Sequence, residues 1–457
     1  MKPVLVLALA AWAVLTPVLT GSPDVRAQPA PEGRAATAPT CIYRAEPRVA
    51  GYARKAALPA TRPRTATFDV RFIDENPSDP WPEEARAALL YALDLWASFI
   101  VSPVPITIEA TWADLGSCTG GAFTLAQAGP TTLWRNVRQA PFPDTWYPAP
   151  LAEALHGADL NNGEPDLAAA FNRRCGPSGQ NRWHFDPNRT PLPDRLDFVT
   201  VALHELAHGL GFLGSAAVDD GRDGNGTECD GTGGHGCLGF DDGTPAVFDR
   251  FPEDGFGTRL VALPSPSATL GEALTGRREG LFFGGPLAVS AYGDLPPPLY
   301  APARFDAGSS YAHLDEQTFN DTPDALMTPS LAQAEVLHHP GEVTCGLMAD
   351  LGWTVTAACS PRAGKPPPPD RTFTLSGVFP NPFTGAARLL LTPGDSEPLT
   401  VDVYDALGRH VARLHEGPLT PGLPRLFTLD GTRLAAGVYF IRVSGPTFTA
   451  TRTAVRR

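Results

Sequence analysis

Two histidines four residues apart, the first followed directly by a glutamate, are the side chains of this 457-residue chain best suited to chemistry. They lie in Asp197-Phe-Val-Thr-Val-Ala-Leu-His-Glu-Leu-Ala-His-Gly-Leu-Gly-Phe212. On a helix, His204 and His208 project from one face, one turn apart. Neutral imidazoles in that arrangement are ligands for Zn²⁺, and Glu205 is placed to act as general base toward a water on the same ion. The plainer alternative is a buried helix whose histidines only satisfy nearby carbonyls. That role has no use for the carboxylate beside them.

The surrounding residues predict the helix itself. Leu203, Leu206 and Leu210 recur at i, i+3 and i+7 and give it an apolar face to bury. Asp197 is placed to cap its start, and Gly209 and Gly211 to end it. A catalytic zinc site needs a third protein ligand and one open position. The compact pattern H-E-x-x-H-x-x-G-x-x-H matches at Gly211 but fails at Gly214, so the third ligand must come from farther along. Downstream carboxylates Glu228, Glu253 and Glu272 are rivals, although none sits in a convincing helical motif.

One later segment stands out: Gly308-Ser-Ser-Tyr-Ala-His-Leu-Asp-Glu316, followed by Asp324-Ala-Leu-Met-Thr-Pro329. Together with the helix it resembles the leishmanolysin-like branch of the metzincins. Leu314 stands where that family usually has Trp. The resemblance implies that His313, 105 residues beyond His208, is the third ligand and Met327 the methionine of the turn that floors the site. It also implies an α+β catalytic domain with a mixed twisted sheet, an active-site helix and a loop-rich C-terminal lobe. The activity it implies is that of a secreted zinc endopeptidase with Glu205 as catalytic base and a protein or peptide as substrate. Two other functions fit the helix alone: a non-catalytic surface or adhesive protein with a structural metal, and a zinc hydrolase acting on a non-protein amide.

Strand, helix and strand precede this helix in the sequence. Thr67–Ile73 alternates apolar and polar residues as a half-buried strand does. Pro82 opens a helix to about Ile100, with Ala85, Leu89, Ala92, Trp96 and Phe99 on one face. Pro105–Trp112 alternates again, and Asp166–Asn172 reads as a further strand, with little else legible across 113–196.

Residues 1–27 have the basic start, apolar run and small residues of a secretory signal peptide. Residues 28–60 read as a leader or propeptide-like arm, loosely docked, in which Cys41 is a candidate metal cap set against a disulfide or an idle thiol. The resemblance implies that residues 61–360 are the metallopeptidase domain, and the proline run at 361–370 reads as a stiff linker. The net charge of −13 argues against nucleic acid as a partner, and beyond the signal peptide no apolar run is long enough to span a bilayer. Seven cysteines in an exported chain point to disulfides, with Cys229–Cys237 and Cys345–Cys359 the short-loop pairings. Asp219–Glu228 is dense in oxygen ligands and glycine. It is a candidate Ca²⁺ loop, set against a merely solvated one.

Residues 371–457 read as short strands of a small all-β, Ig-like sandwich, with Leu399–Tyr404, His410–Leu414 and Gly437–Val443 the clearest. Val378-Phe-Pro-Asn-Pro-Phe383, Val403-Tyr-Asp-Ala-Leu-Gly-Arg409 and Leu434–Arg442 resemble the type A C-terminal sorting domain of the type IX secretion system. That resemblance implies export across both membranes by a secretion machinery, ending in release or surface attachment.

Overall fold

The computed structural model describes residues 30–36, 41–49, 53–54, 64–119, 123–219, 229–293, 295–359, 373–375, 378, 382–393, 398–419, 425–446 and 449–457. The signal peptide, the proline linker and all of the candidate Ca²⁺ loop except Asp219 lie outside the described residues.

A six-stranded mixed sheet carries the larger unit. Its strands are β1 (Cys41–Val49), β2 (Phe68–Asp74), β3 (Ile106–Ala113), β4 (Thr124–Pro130), β5 (Leu167–Asn172) and β6 (Ser330–Gln333), in the spatial order β6-β1-β4-β5-β3-β2. Neighbours β2, β3 and β5 are parallel. Strand β4 runs antiparallel to both β5 and β1, and β6 runs parallel to β1. The alternation in Ile106–Ala113 accounts for β3, since Ile106, Ile108, Ala110 and Trp112 all turn into the core. Helix α1 (Glu83–Phe99) connects β2 to β3. Trp96 on its apolar face donates its indole N–H to the Leu203 carbonyl at 3.1 Å and ties α1 to the helix bearing the two histidines.

Two of the elements between β3 and that helix were not read from the sequence. Strand β4, Thr-Leu-Ala-Gln-Ala-Gly-Pro, lacks β-branched residues beyond its first, so its pairing is fixed by the strands on either side of it. Helix α2 (Ala149–His156) has Pro150 in its first turn and Gly157 in the left-handed region at its end, φ 79°. Those two signals were present in the sequence. The arm at 28–60 is also corrected. Its described residues 41–49 and 53–54 are not loosely docked, because β1 is an interior strand of the sheet and Ala53–Arg54 pairs in parallel with Val336–Leu337.

Helix α3 (Phe198–Gly209) is buried over its whole length. Asp197 caps it as expected, accepting from the Thr200 amide and hydroxyl at 2.8 Å each, and also pairs with the buried His338 at 2.8 Å. At the other end Trp353, just past α4 (Glu342–Leu351), donates to the Leu210 carbonyl at 2.8 Å. Both predicted short disulfides are present, with Cys118–Cys175 as a third.

The C-terminal residues form two sheets. One comprises β7 (Phe373–Leu375), β8 (Ala386–Pro393) and β11 (Arg425–Asp430); the other comprises β9 (Pro398–Asp405), β10 (His410–Pro418), β12 (Gly437–Ser444) and β13 (Thr449–Arg456). Leu389, Leu391, Val401, Val403, Ile441 and Val443 alternate inward to make a core separate from that of the larger unit.

Candidate metal centre

Helix α3 presents His204 and His208 from one face, and a clamped loop brings His313 to meet them. The His313 carbonyl accepts from the Tyr300 amide at 2.9 Å, and the next residue, Leu314, donates to the Met327 carbonyl at 2.8 Å. The three Nε2 atoms then lie 3.0, 3.2 and 3.3 Å apart, and all three rings are fully buried. The third ligand expected from the sequence therefore joins the other two.

The protonation state of the three rings follows from their other nitrogens. Each Nδ1 sits 2.7 Å from a backbone carbonyl: Leu326 for His204, Phe212 for His208 and Ser309 for His313. A carbonyl only accepts, so each Nδ1 carries the proton. Burial pushes His208 down to about 4, and burial with mutual repulsion holds His204 and His313 well below the usual imidazole range. Neutral rings protonated at Nδ1 leave three Nε2 lone pairs converging on one point. With no hydrogen between them, a cation at that point would relieve their repulsion. This donor set fits a divalent ion that favours nitrogen, and the carbonyls on the far side are the partners that orient metal-binding imidazoles.

Each supporting residue has a local reason. Gly211 stands at φ 121°, a conformation open to glycine, and so turns the chain back until Phe212 offers its carbonyl to His208. Gly214, where the compact signature would place a histidine, has no room for any side chain. A Cβ there would overlap the Tyr311 ring and stand 2.6 Å from the Asp249 carboxylate. Tyr311 turns its hydroxyl to Asp249, to which it donates at 2.9 Å. Met327 is fully buried in a single 3₁₀ turn, and it is the preceding carbonyl, Leu326, that holds His204.

Glu205 is fully buried beside the three histidines, and neither of its oxygens makes a well-formed hydrogen bond. Burial raises its carboxyl well above the ordinary range, opposed in part by the backbone amides of Tyr43 and Ala128. Tyr43, from β1, stacks on His204 with ring centroids 3.7 Å apart and planes 6° from parallel. Nothing in the sequence pointed to Tyr43, because strand pairing across the sheet brings it there.

Of the rival ligands, the two that are described, Glu253 and Glu272, do not join the site. Glu253 pairs with Arg259 at 3.7 Å, Glu272 lies on the short helix Ala268–Leu274, and Glu228 is outside the described residues. Among the described residues, His204, His208 and His313 are the one group of three or more side chains gathered to hold a metal.

Comparison with known proteins places the C-terminal unit. Residues 377–456 match the secretion system C-terminal sorting domain family. No curated protein matches the chain. Among solved structures, dimeric latent PorU from Porphyromonas gingivalis is 22% identical over 19% of this chain, with a TM-score of 0.16, and the match spans 10% of that protein's own length. A DUF3244 family protein with an immunoglobulin-like β-sandwich fold from Bacteroides vulgatus is 19% identical over 18% of this chain and 95% of its own, with a TM-score of 0.15. Among the described residues no helix is long and apolar enough to cross a membrane. Residues 377–456 thus carry a C-terminal sorting domain of the type IX secretion kind, which directs the chain to the export machinery and on to the cell surface or beyond.

Proposed function

We propose that the chain is an exported zinc-dependent endopeptidase of the leishmanolysin-like metzincin type, with His204, His208 and His313 as ligands and Glu205 as general base. The observation that carries this reading is the convergence of three Nε2 lone pairs within 3.3 Å, with a buried carboxylate on the same helix. Gly211, His313 and Met327 fall in the order that the family requires, and the mixed sheet beside α3 is consistent with its fold.

When bound, zinc supplies Lewis acidity toward a scissile carbonyl and lowers the pKa of an attacking water. The chain's own residues do the rest. Leu326, Phe212 and Ser309 fix the tautomer and orientation of the three rings. Glu205 takes the proton of the attacking water and returns it to the leaving amine. A purely structural metal has no use for Glu205, a fully buried carboxyl faced by the backbone amides of Tyr43 and Ala128.

The test is zinc content and hydrolysis of an unfolded protein, measured together on the full chain after the N-terminal segment has been cut, and on its Glu205→Gln variant. The reading requires equal zinc in both and a rate lower by ~100-fold or more in the variant. Equal rates would refute the catalytic role. Hydrolysis of small amides without any action on protein would instead favour the non-protein amidase.

A further inference from the structure

The loop that delivers His313 turns on an uncommon backbone conformation. Tyr311, two residues before the ligand, stands at φ 75°, where a bulky side chain is rare. The Ala312 amide donates back to the Ser310 carbonyl at 2.9 Å, so residues 310–312 close a three-residue turn of the rarer, strained hand. Past this turn the Ser309 carbonyl and Nδ1 of His313 meet at 2.7 Å. Strain of this kind persists only where surrounding contacts over-determine it, and it gathers at functional sites.

Three contacts hold Tyr311 there. Its amide donates to the Tyr300 carbonyl at 2.8 Å, its ring meets Phe248 edge-on with centroids 5.4 Å apart, and its hydroxyl donates to Asp249 at 2.9 Å. Asp249 is fully buried and is fixed by three more donors: the Ser215 amide at 3.0 Å, the Ser215 hydroxyl at 2.5 Å and the Ala246 amide at 2.7 Å. Ser215 lies on the chain leaving His208, just past the Gly211 turn, and Tyr311 lies on the chain returning with His313. One carboxylate therefore fastens the outgoing strand of the insertion to the incoming one. Burying a carboxylate is costly unless its oxygens are met, and Asp249 is not among the residues gathered at the metal centre. What it does on the page is hold Tyr311.

We propose that Asp249 is a positioning residue for the third ligand. Through the Tyr311 hydroxyl it latches the strained turn at 310–312, and so keeps Nε2 of His313 on the point where the His204 and His208 lone pairs converge. Without the latch the turn relaxes toward an ordinary conformation and His313 leaves that point for part of the time. The effect on metal affinity rests on the zinc reading above; the latch itself does not.

The experiment compares the full chain with Tyr311→Phe and with Tyr147→Phe as a matched control. Tyr147 is also fully buried, and its hydroxyl donates to the Phe142 carbonyl at 3.1 Å and accepts from the Phe142 amide at 2.8 Å. The control thus removes the same oxygen from another part of the core. In chelator, amide exchange across residues 309–314, read by mass spectrometry, is expected to quicken ~10-fold or more in Tyr311→Phe and to match the wild type in Tyr147→Phe. Zinc affinity, read by competition with a chromophoric chelator, is expected to fall ~10- to 100-fold in Tyr311→Phe, the scale of a lost orienting partner. In Tyr147→Phe it changes by less than ~3-fold. Cobalt(II) in place of zinc gives the strong visible bands of a low-coordinate site in the wild type and control, and weaker bands in Tyr311→Phe. Exchange across 309–314 unchanged in Tyr311→Phe overturns the proposal, as does zinc bound as tightly as by the wild type, or an equal loss of affinity in both variants. Should Tyr311→Phe fail to fold, Asp249→Asn takes its place: exchange across 309–314 quickened ~3-fold or more by the weaker, neutral acceptor supports the latch, and unchanged exchange refutes it. Quickened exchange in a chain whose wild type binds no zinc upholds the latch and refutes the zinc reading instead.

Discussion

Replacing His313 by alanine separates a metal centre from a cluster of ordinary buried histidines. In the first case the three rings act as a unit, so the effect of the substitution depends on zinc. Free zinc at 1,000 times its dissociation constant stabilises the native chain by ~4 kcal/mol. Loss of a ligand costs more than loss of an orienting partner, which is worth 10- to 100-fold in affinity, so His313→Ala forfeits at least ~2.7 kcal/mol of that stabilisation. For a unit of this size each kcal/mol is worth roughly 2 °C in melting temperature. Zinc should therefore raise the melting temperature of the larger unit by about 8 °C in the wild type and by less than about 3 °C in His313→Ala. The substitution also carries a metal-independent cost, since Ser309 loses the N–H it accepts at 2.7 Å, and subtracting melts in a chelator removes this. Differential scanning calorimetry of both proteins, with zinc and with chelator, gives all four values. Equal zinc shifts in the two proteins would refute the reasoning, as would no shift in either.

Three further outcomes follow from the same geometry. Gly214→Ala drives a methyl into the Tyr311 ring and to 2.6 Å from the Asp249 carboxylate, and should cost ~1–3 kcal/mol in urea unfolding, where a harmless surface glycine would cost a few tenths. Glu153, pushed up to about 8 by burial and then by Asp166 and Asp159, binds its proton more tightly folded than unfolded. It therefore contributes stability that is complete below pH 4.5 and lost as pH rises toward 8, and in thermal melts Glu153→Gln should flatten the decline seen between those limits. The Cys118–Cys175 bridge closes a separation of 57 residues, so the paired serine variant should lose ~4 kcal/mol in denaturant unfolding, more than loss of Cys229–Cys237 with its separation of 8.

The residues of the candidate metal centre were legible where their signal is local. His204, Glu205, His208, the Asp197 cap and the Gly211 turn all lie within one stretch, where helical periodicity states the geometry. His313 and Met327 needed the resemblance to a family, because no periodicity reports a contact across 105 residues. Strand β4 and β1 escaped the reading for a different reason. Ala126, Ala128, Gly129 and Pro130 have weak intrinsic preference for strand, and the arm around Tyr43 carries Pro47 and no regular alternation, so both are strands only because neighbours supply their hydrogen bonds. The Asp249–Tyr311 contact that excludes a side chain at position 214 is equally non-local. In the tail, short alternating runs bounded by turn residues made the sandwich strands readable, and Val401, Val403, Ile441 and Val443 do point inward.

The measurement closest to the central claim is zinc K-edge X-ray absorption on the purified full chain, compared with His313→Ala. Three imidazole nitrogens at ~2.0–2.1 Å, with one light atom completing the shell and one imidazole fewer in the variant, is the predicted result. A shell containing sulfur, a shell unchanged in His313→Ala, or no bound zinc at all would contradict it.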